Sequence, residues 1–333
     1  MQAGGGEMRD LRDCAICYVC DINFLWPTLV SATSLRRWVT PSAADIFLFT
    51  IGIDADTSRK VAEACESLGL TFLALDDGLI SGFDESKFAR THVPRSSLGR
   101  FFLADHLPRD YDRILYIDGD TWIVRDPTPL IRYRPPPDVI AAGEDPAFFI
   151  QSINGSMGSH IREYFAGLGI NGPNGYFNSG VLMARLPTWG AMMAEAFEFF
   201  RRNVEKCSYH DQSALNAVAR HRRVRLSPRW NFTTPYRHWG VESKIAPCIY
   251  HFIGAVKPWM GKCEPWAGIH DAYMEDWRRF ASLDLPARRF DARELTQRNR
   301  AAIEQTTKLK LLFARRMRYR TEIRRLHESA VEV

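Results

Sequence analysis

Short apolar runs alternate with longer stretches of helical periodicity along most of the chain. "CAICYVC" (14–20), "DIFLFTIG" (45–52) and "LTFLAL" (70–75) are bounded by polar or turn residues and are predicted as strands. "LWPTLVSATSLRRWV" (25–39) and "TSRKVAEACESLG" (57–69) lie between them and are predicted as helices. "SLGRFFLADHLP" (97–108) reads as a helix stopped by Pro108, and "RILYID" (113–118) as a fourth strand. Strands alternating with helices predict βαβ units and an α/β fold with a mostly parallel sheet. Strands that are apolar throughout predict a sheet covered on both faces.

Beyond residue 135 the alternation loosens. The proline run in "RPPPDVIAAGEDP" (134–146) precedes a short strand, and "GYFNSGVLMARL" (175–186) is strand-like. "PTWGAMMAEAFEFFRRN" (187–203) opens on a proline, as helices often do, and "HDQSALNAVAR" (210–220) is a short helix. No repeat, low-complexity block or linker divides the first 270 residues. From about residue 291 the chain is predicted helical, with Leu309, Leu312, Phe313, Met317 and Leu326 near one side and arginines elsewhere.

Composition adds two constraints. The 333 residues are 46% hydrophobic and 25% charged, enough for an ample core without a metal or disulfide staple. The net charge of +5 is uneven: residues 286–328 hold 13 Lys/Arg against 5 Asp/Glu, a net of +8, which leaves −3 for the remainder. An acidic body without a recognised module argues against a nucleic-acid partner. Seven cysteines, an odd number without a spacing framework, predict a reducing compartment. No signal-type apolar core opens the chain and no run approaches the ~20 residues that span a bilayer, so a cytoplasmic location is expected. In "CAICYVC" the strand alternation sets Cys14 and Cys20 on one face and Cys17 on the other, which argues for buried thiols over a metal cluster.

The chemistry concentrates in four segments. In "RILYIDGDTWIVRDP" (113–127) Asp118 and Asp120 end an apolar strand, where an unpaired buried charge costs several kcal/mol. Residues i and i+2 of an extended chain point the same way, so both carboxylates can face one Mg²⁺ or Mn²⁺, and Gly119 leaves room for a ligand. "IYHFIGAVKPWMG" (249–261) ends another apolar run with His251, an imidazole that favours Mn²⁺, followed by Gly254 and Lys257, a backbone and a point charge suited to phosphate. Asn178 and Ser179 interrupt an apolar strand with groups that need partners, and Asp211 and Gln212 stand at a helix start. Taken singly, each has a plainer reading: turn formers, a core histidine, a helix cap.

In this order, "YIDGDTWIVRDP", "YFNSGVLMARLPTW", "DQSALNAV" and "HFIGAVKPW" resemble glycosyltransferase family 8, which includes bacterial lipopolysaccharide galactosyl- and glucosyltransferases, glycogenin and galactinol synthases. "CDINF" resembles the family's opening nucleotide-binding turn and "SSLGRFF" its arginine-bearing helix. The resemblance implies a single Rossmann-like GT-A domain over residues 13–270, with a mixed, mostly parallel sheet, followed by a basic helical extension over 271–333. It implies a UDP-hexose donor and transfer with retention. Asp118, Asp120 and His251 would hold Mn²⁺, or Mg²⁺, on the diphosphate, beside Gly119. Asp21 and Asn23 would contact the nucleoside. Phe24, where relatives often carry Tyr, would offer uracil an aromatic face. Gly254 and Lys257 would touch the diphosphate, Arg100 the donor sugar, and Glu144 or Asp145 its hydroxyls. Asn178, Asp211 and Gln212 would surround the anomeric carbon. Gly119 stands where relatives frequently have Ala, a change expected to be harmless.

The acceptor is left open between saccharide, lipid-linked glycan and protein. The basic tail is read either as a peripheral contact with the inner face of a membrane, or as a solvated helix or a helix packed on a partner subunit. Two alternatives accompany the transferase reading. Haloacid-dehalogenase phosphatases resemble D-x-D-x-T, but here Trp122 takes the Thr position and the motif lies far from the N-terminus. A catalytically inactive sugar-nucleotide-binding protein is the non-enzyme alternative, although the metal ligands and the lysine are all present.

Overall fold

The computed structural model of the chain describes residues 10–80, 95–107, 111–152, 154–171, 175–254, 256–280, 282–286, 313–331 and 333. Strand β1 (Cys14–Cys20) is buried along its whole length because both of its faces are covered. Cys14, Ile16, Tyr18 and Cys20 join one hydrophobic cluster with helix α1 (Leu25–Arg36), while Ala15, Cys17 and Val19 join another on the opposite face. The three cysteines of this strand therefore diverge as the alternation requires, and all seven thiols of the chain are free.

The succession β2 (Ile46–Ile51), α2 (Ala55–Ser67), β3 (Thr71–Leu75) and β4 (Arg113–Ile117) follows the predicted alternation. Helix α2 starts two residues before the sequence expectation, because Asp54 caps it by accepting from Thr57 N at 2.8 Å. The expected helix over 97–108 is instead a 3₁₀ stretch, Arg95–Phe102, followed by a single α-turn. Three residues per turn stack Ser97 and Arg100 on one edge, and both reach the same partner below.

Strands β1 to β4, with β6 (Ile140–Glu144), β7 (Phe177–Arg185) and β8 (Arg223–Arg225), form one sheet in the order β3-β2-β1-β4-β7-β6-β8. Only β7 runs against its neighbours β4 and β6; the other pairs are parallel. This is the mixed, mostly parallel sheet expected. Helix α3 (Ser156–Gly167) precedes β7, and helices α4 (Leu186–Arg202) and α5 (His210–Ala219) follow it. A second, three-stranded sheet joins β5 (Thr121–Ile123), β9 (Phe232–Thr233) and β10 (Ile249–His251) in the order β5-β10-β9. No expectation covered β5, β8 or β9, which are too short to carry a periodicity.

Past helix α6 (His270–Arg278), residues 313–328 form helix α7 (Phe313–Glu328). Its apolar stripe matches the predicted one only in part. Leu326 is buried as expected, with Tyr319 and Ile323, in the α1-side cluster, whereas Met317 is 60% exposed; Leu309, Leu312 and the Phe313 side chain lie outside the described residues. Tyr319 stacks 4.8 Å from the Trp239 ring and 5.9 Å from that of Phe149, and Ser227 Oγ meets His327 Nδ1 at 2.5 Å. Those apolar groups are consumed by the core, so membrane contact through this helix finds no support. No helix among the described residues is long and apolar enough to cross a membrane.

If α7 is part of the core, Ile323→Ala should lower the unfolding free energy by about 2–4 kcal/mol, while Met317→Ala should stay within about 0.5 kcal/mol of the parent. Urea unfolding followed by circular dichroism decides this, and equal stability of the two variants would detach the helix from the fold.

Candidate active site

Asp118-Gly119-Asp120 is the link between the two sheets: β4 ends at Ile117 and β5 begins at Thr121. Asp118 N donates to Gly180 O of β7 at 2.8 Å, and Thr121 Oγ1 donates to Asp118 O at 2.9 Å. Strand β10 pairs antiparallel with β5 so that His251 stands opposite Thr121, one residue beyond Asp120. Sheet register thus brings a residue more than 130 positions away against the acidic turn. His251 Nε2 lies 3.2 Å from Asp120 Oδ1 and 3.6 Å from Asp118 Oδ2, and one ligand atom from each residue falls within 4.8 Å of the others.

Two glycines make this approach possible. A Cβ on Gly180 would stand 2.1 Å from His251 Cε1 and 2.8 Å from Asp118 Oδ2. A Cβ on Gly119 would stand 2.0 Å from Thr28 Oγ1 of α1. An alanine there would force Thr28 to shift, so Gly119, where relatives frequently have Ala, fits the close seat of α1 in this chain. Under the turn, Ser31 Oγ meets Thr121 Oγ1 at 2.6 Å, and Ser34 Oγ accepts from Ile123 N at 3.0 Å. Thr28, Ser31 and Ser34 recur every three residues, a small hydroxyl edge that lets the helix sit close.

Around the turn, cations meet the carboxylates. Arg100 is 3% exposed, donates to Asp118 Oδ1 at 2.9 Å and to Ser179 O at 2.8 Å, and lies 3.1 Å from Asp211 Oδ2. Its guanidinium also sits 4.3 Å from the Tyr116 ring centroid. Ser97, one 3₁₀ turn earlier, donates to Asp211 Oδ1 at 2.8 Å. Asp211 is therefore a partner of Arg100 and not a helix cap. Lys257 Nζ donates to Asp120 Oδ2 at 2.6 Å and to Phe252 O. Burial alone would push every one of these acids up. It leaves Asp118 and Asp211 raised despite Arg100, whereas Lys257 and His251 outweigh it at Asp120, whose carboxyl is held well below the usual range. Burial opposes the charge on Arg100, but Asp211, Tyr116 and Asp118 prevail and raise it above its ordinary value.

The third group gathers at the start of β7. Asn178 Nδ2 donates to Asp145 Oδ2 at 3.0 Å. Gln212 spans the gap, with Oε1 accepting from Ser179 N at 2.9 Å and Nε2 3.3 Å from Asp145 Oδ2. Asn216, one helical turn after Gln212, clamps α5 to β7 by bonding both the N–H and the carbonyl of Phe177 at 2.8 Å. Glu144 takes no part: it is buried on the other side, with Oε2 accepting from Arg223 at 2.9 Å and Arg225 at 3.1 Å. Of the adjacent pair 144 and 145, the structure brings only Asp145 to the site, where burial raises its carboxyl. Asp21 Oδ1 accepts from Asn23 N and Phe24 N, opening α1, while Oδ2 accepts from Ser96 Oγ at 3.0 Å. Asn23 is exposed, Gly254 is exposed at φ 88°, and Phe24 meets Trp259 edge-on at 6.3 Å. Sequence reasoning overlooked Gly180, Ser97, Asn216 and Asn231, although the first three lie inside quoted motifs.

A sequence model of the family described as "Glycosyl transferase family 8" matches residues 15–263. The chain belongs to glycosyltransferase family 8. Among this family 8 chain's relatives, General stress protein A of Bacillus subtilis is 25% identical over 262 residues, covering 73% of this chain and 85% of that protein. The lipopolysaccharide glucosyltransferase WaaO of Escherichia coli is 25% identical over 287 residues, 80% of each. A crystal structure of the galactosyltransferase LgtC with donor and acceptor sugar analogs superposes with a TM-score of 0.63 at 21% identity, covering 82% of this chain and 97% of that one. The fold of this family 8 member is accordingly GT-A, and glycosyltransferase activity is what its family and relatives support.

Donor chemistry fits a hard or borderline divalent cation. Two carboxylate oxygens and one imidazole nitrogen converge, and a Cβ at position 180 would collide with the His251 ring and crowd Asp118 Oδ2, so glycine there permits the convergence. Because Gly119 lies so close to Thr28, Gly119→Ala should lower the stability of this family 8 protein by about 1–3 kcal/mol, and adding Thr28→Ala should recover most of the loss. Chemical denaturation of the three proteins tests it; an alanine variant as stable as the parent would falsify the contact.

Proposed function

We propose that the protein is a metal-dependent, retaining hexosyltransferase that uses a UDP-sugar. The observation that carries the reading is the meeting of Asp118, Asp120 and His251 beside Lys257, at the carboxyl ends of the parallel strands, in a family 8 chain. Ligands of open α/β sheets sit at those ends. Bound there, Mn²⁺ or Mg²⁺ would supply Lewis-acid neutralisation of the charge that develops on the departing UDP.

The chain's own residues do the rest. Asp118 presents Oδ2, because Oδ1 is taken by Arg100 and by the Tyr116 hydroxyl at 2.7 Å. Lys257 adds a positive charge for the diphosphate, close to the exposed backbone at Gly254. Asp21 shapes the turn that offers Asn23 and the Phe24 ring to the nucleoside. Asp145, Asn178 and Gln212 present buried polar atoms to the hexose. Asp211 is held by Ser97 and Arg100, and Gln212 is a poor nucleophile with its oxygen already bonded. Neither stands ready to attack the anomeric carbon. That favours a front-face route, in which the acceptor hydroxyl enters beside the leaving UDP, over a covalent intermediate. The acceptor is a saccharide, free, lipid-linked or protein-bound, and a cytoplasmic location suits the free thiols and the sugar-nucleotide donor.

A panel of UDP-sugars with Mn²⁺, read as UDP release with and without saccharide acceptors, should show turnover with one UDP-hexose and none after chelation. Asp118→Ala should lower it by at least about 10²-fold while leaving the circular dichroism spectrum unchanged. Undiminished turnover in that variant, or phosphate release from an aryl phosphate, overturns the reading.

A further inference from the structure

Asn231 precedes β9 and is 1% exposed, and no quoted motif contains it. It joins His251 to Asn178 through a chain of bonds whose directions can be deduced from one fixed point. The Gly180 backbone N–H donates to Asn178 Oδ1 at 3.0 Å, and a backbone amide can only donate. That pins the orientation of the Asn178 amide, whose Nδ2 then faces Asp145. Asn178 Oδ1 is also 2.9 Å from Asn231, so Asn231 must turn its Nδ2 there. Its Oδ1 is left 2.9 Å from His251 Nδ1, and an amide oxygen only accepts. His251 must therefore carry its proton on Nδ1.

The consequence falls on the other ring nitrogen. When the ring is neutral, the lone pair falls on Nε2, which faces Asp118 Oδ2 and Asp120 Oδ1, so that three electron-rich atoms converge there. Such a geometry calls for a positive charge among them. With the opposite tautomer, an N–H would project into the same space and block coordination.

We propose that Asn231 is a positioning residue that fixes the His251 tautomer, so that Nε2 is presented to a divalent cation together with Asp118 and Asp120. The proposal rests on the metal reading above for the cation, but not for the tautomer. It also ties the ligand set to Asn178 and Asp145, so the sugar side and the metal side of the site share one hydrogen-bonded frame.

The test uses the full-length chain labelled with ¹⁵N and freed of metal, in alkaline buffer. Long-range ¹H–¹⁵N correlation identifies the protonated nitrogen of His251, assigned by the signals lost in His251→Gln. Binding of Mn²⁺ alone is titrated by electron paramagnetic resonance. The parent should show Nδ1–H. Asn231→Leu should move the proton to Nε2 and weaken Mn²⁺ by about 10–100-fold. Asn231→Asp, which keeps an acceptor oxygen, should preserve both the tautomer and the affinity. An Nε2–H ring in the parent overturns the proposal, and this measurement stands even if the leucine variant fails to fold. So does a folded leucine variant whose ring signals and affinity match the parent's. A parent with Nδ1–H that moves to Nε2 in the leucine variant, but that binds no Mn²⁺, overturns the metal reading and supports Asn231's control of the ring.

Discussion

The site is governed by an excess of buried negative charge. Asp118, Asp120, Asp145 and Asp211 crowd the carboxyl ends of β1, β4 and β6, and Arg100 and Lys257 are the cations paired with them. Four buried carboxylates against two paired cations leave the site short of positive charge, which a divalent cation would supply. A buried carboxylate without compensation costs several kcal/mol, so the fold must deliver the two cations reliably. It does so from opposite sides: Arg100 arrives on a 3₁₀ stretch packed over the large sheet, and Lys257 follows the last strand of the small one. The sheets meet through a two-carboxylate turn, and each contributes one counter-charge.

Much of this was legible in the sequence, for identifiable reasons. Strands β1, β2 and β4 announce themselves because burial on both faces makes them largely apolar, and β3, a partly exposed edge strand, is still apolar enough between turn residues to be read. The acidic turn is visible because aspartates seldom end such a strand without cause. His251 could be matched to that turn through family resemblance but not through spacing, since their proximity depends on pairing between two three-residue strands, too short to leave a pattern. Choosing between Glu144 and Asp145 was equally beyond the sequence. Adjacent residues on a strand end face opposite ways, and the direction each takes is set by Arg223 and Arg225 from a strand about eighty positions later.

The tail shows the converse. Its arginines dominate the composition and suggested an outward-looking helix, yet three well-spaced apolar side chains decide how it packs. Tyr319 enters an aromatic cluster with Phe149 and Trp239, and Phe149 lies four residues after Asp145. The far end of the chain thereby buttresses the loop that leaves β6. Basic composition was a poor guide here because a helix needs only one apolar residue in every three or four, along one face, in order to dock.

Strand β1 carries a further property. Three of its seven residues are thiols, and with Cys65, Cys207 and Cys248 they make six that solvent does not reach. A thiol sealed inside a sheet can react with an alkylating reagent only while its segment is transiently open. Native cysteines placed on β1, α2, the segment before α5 and the approach to β10 thus act as internal clocks. Their separate rates of modification would rank the opening of each part of the molecule without introducing a single foreign label.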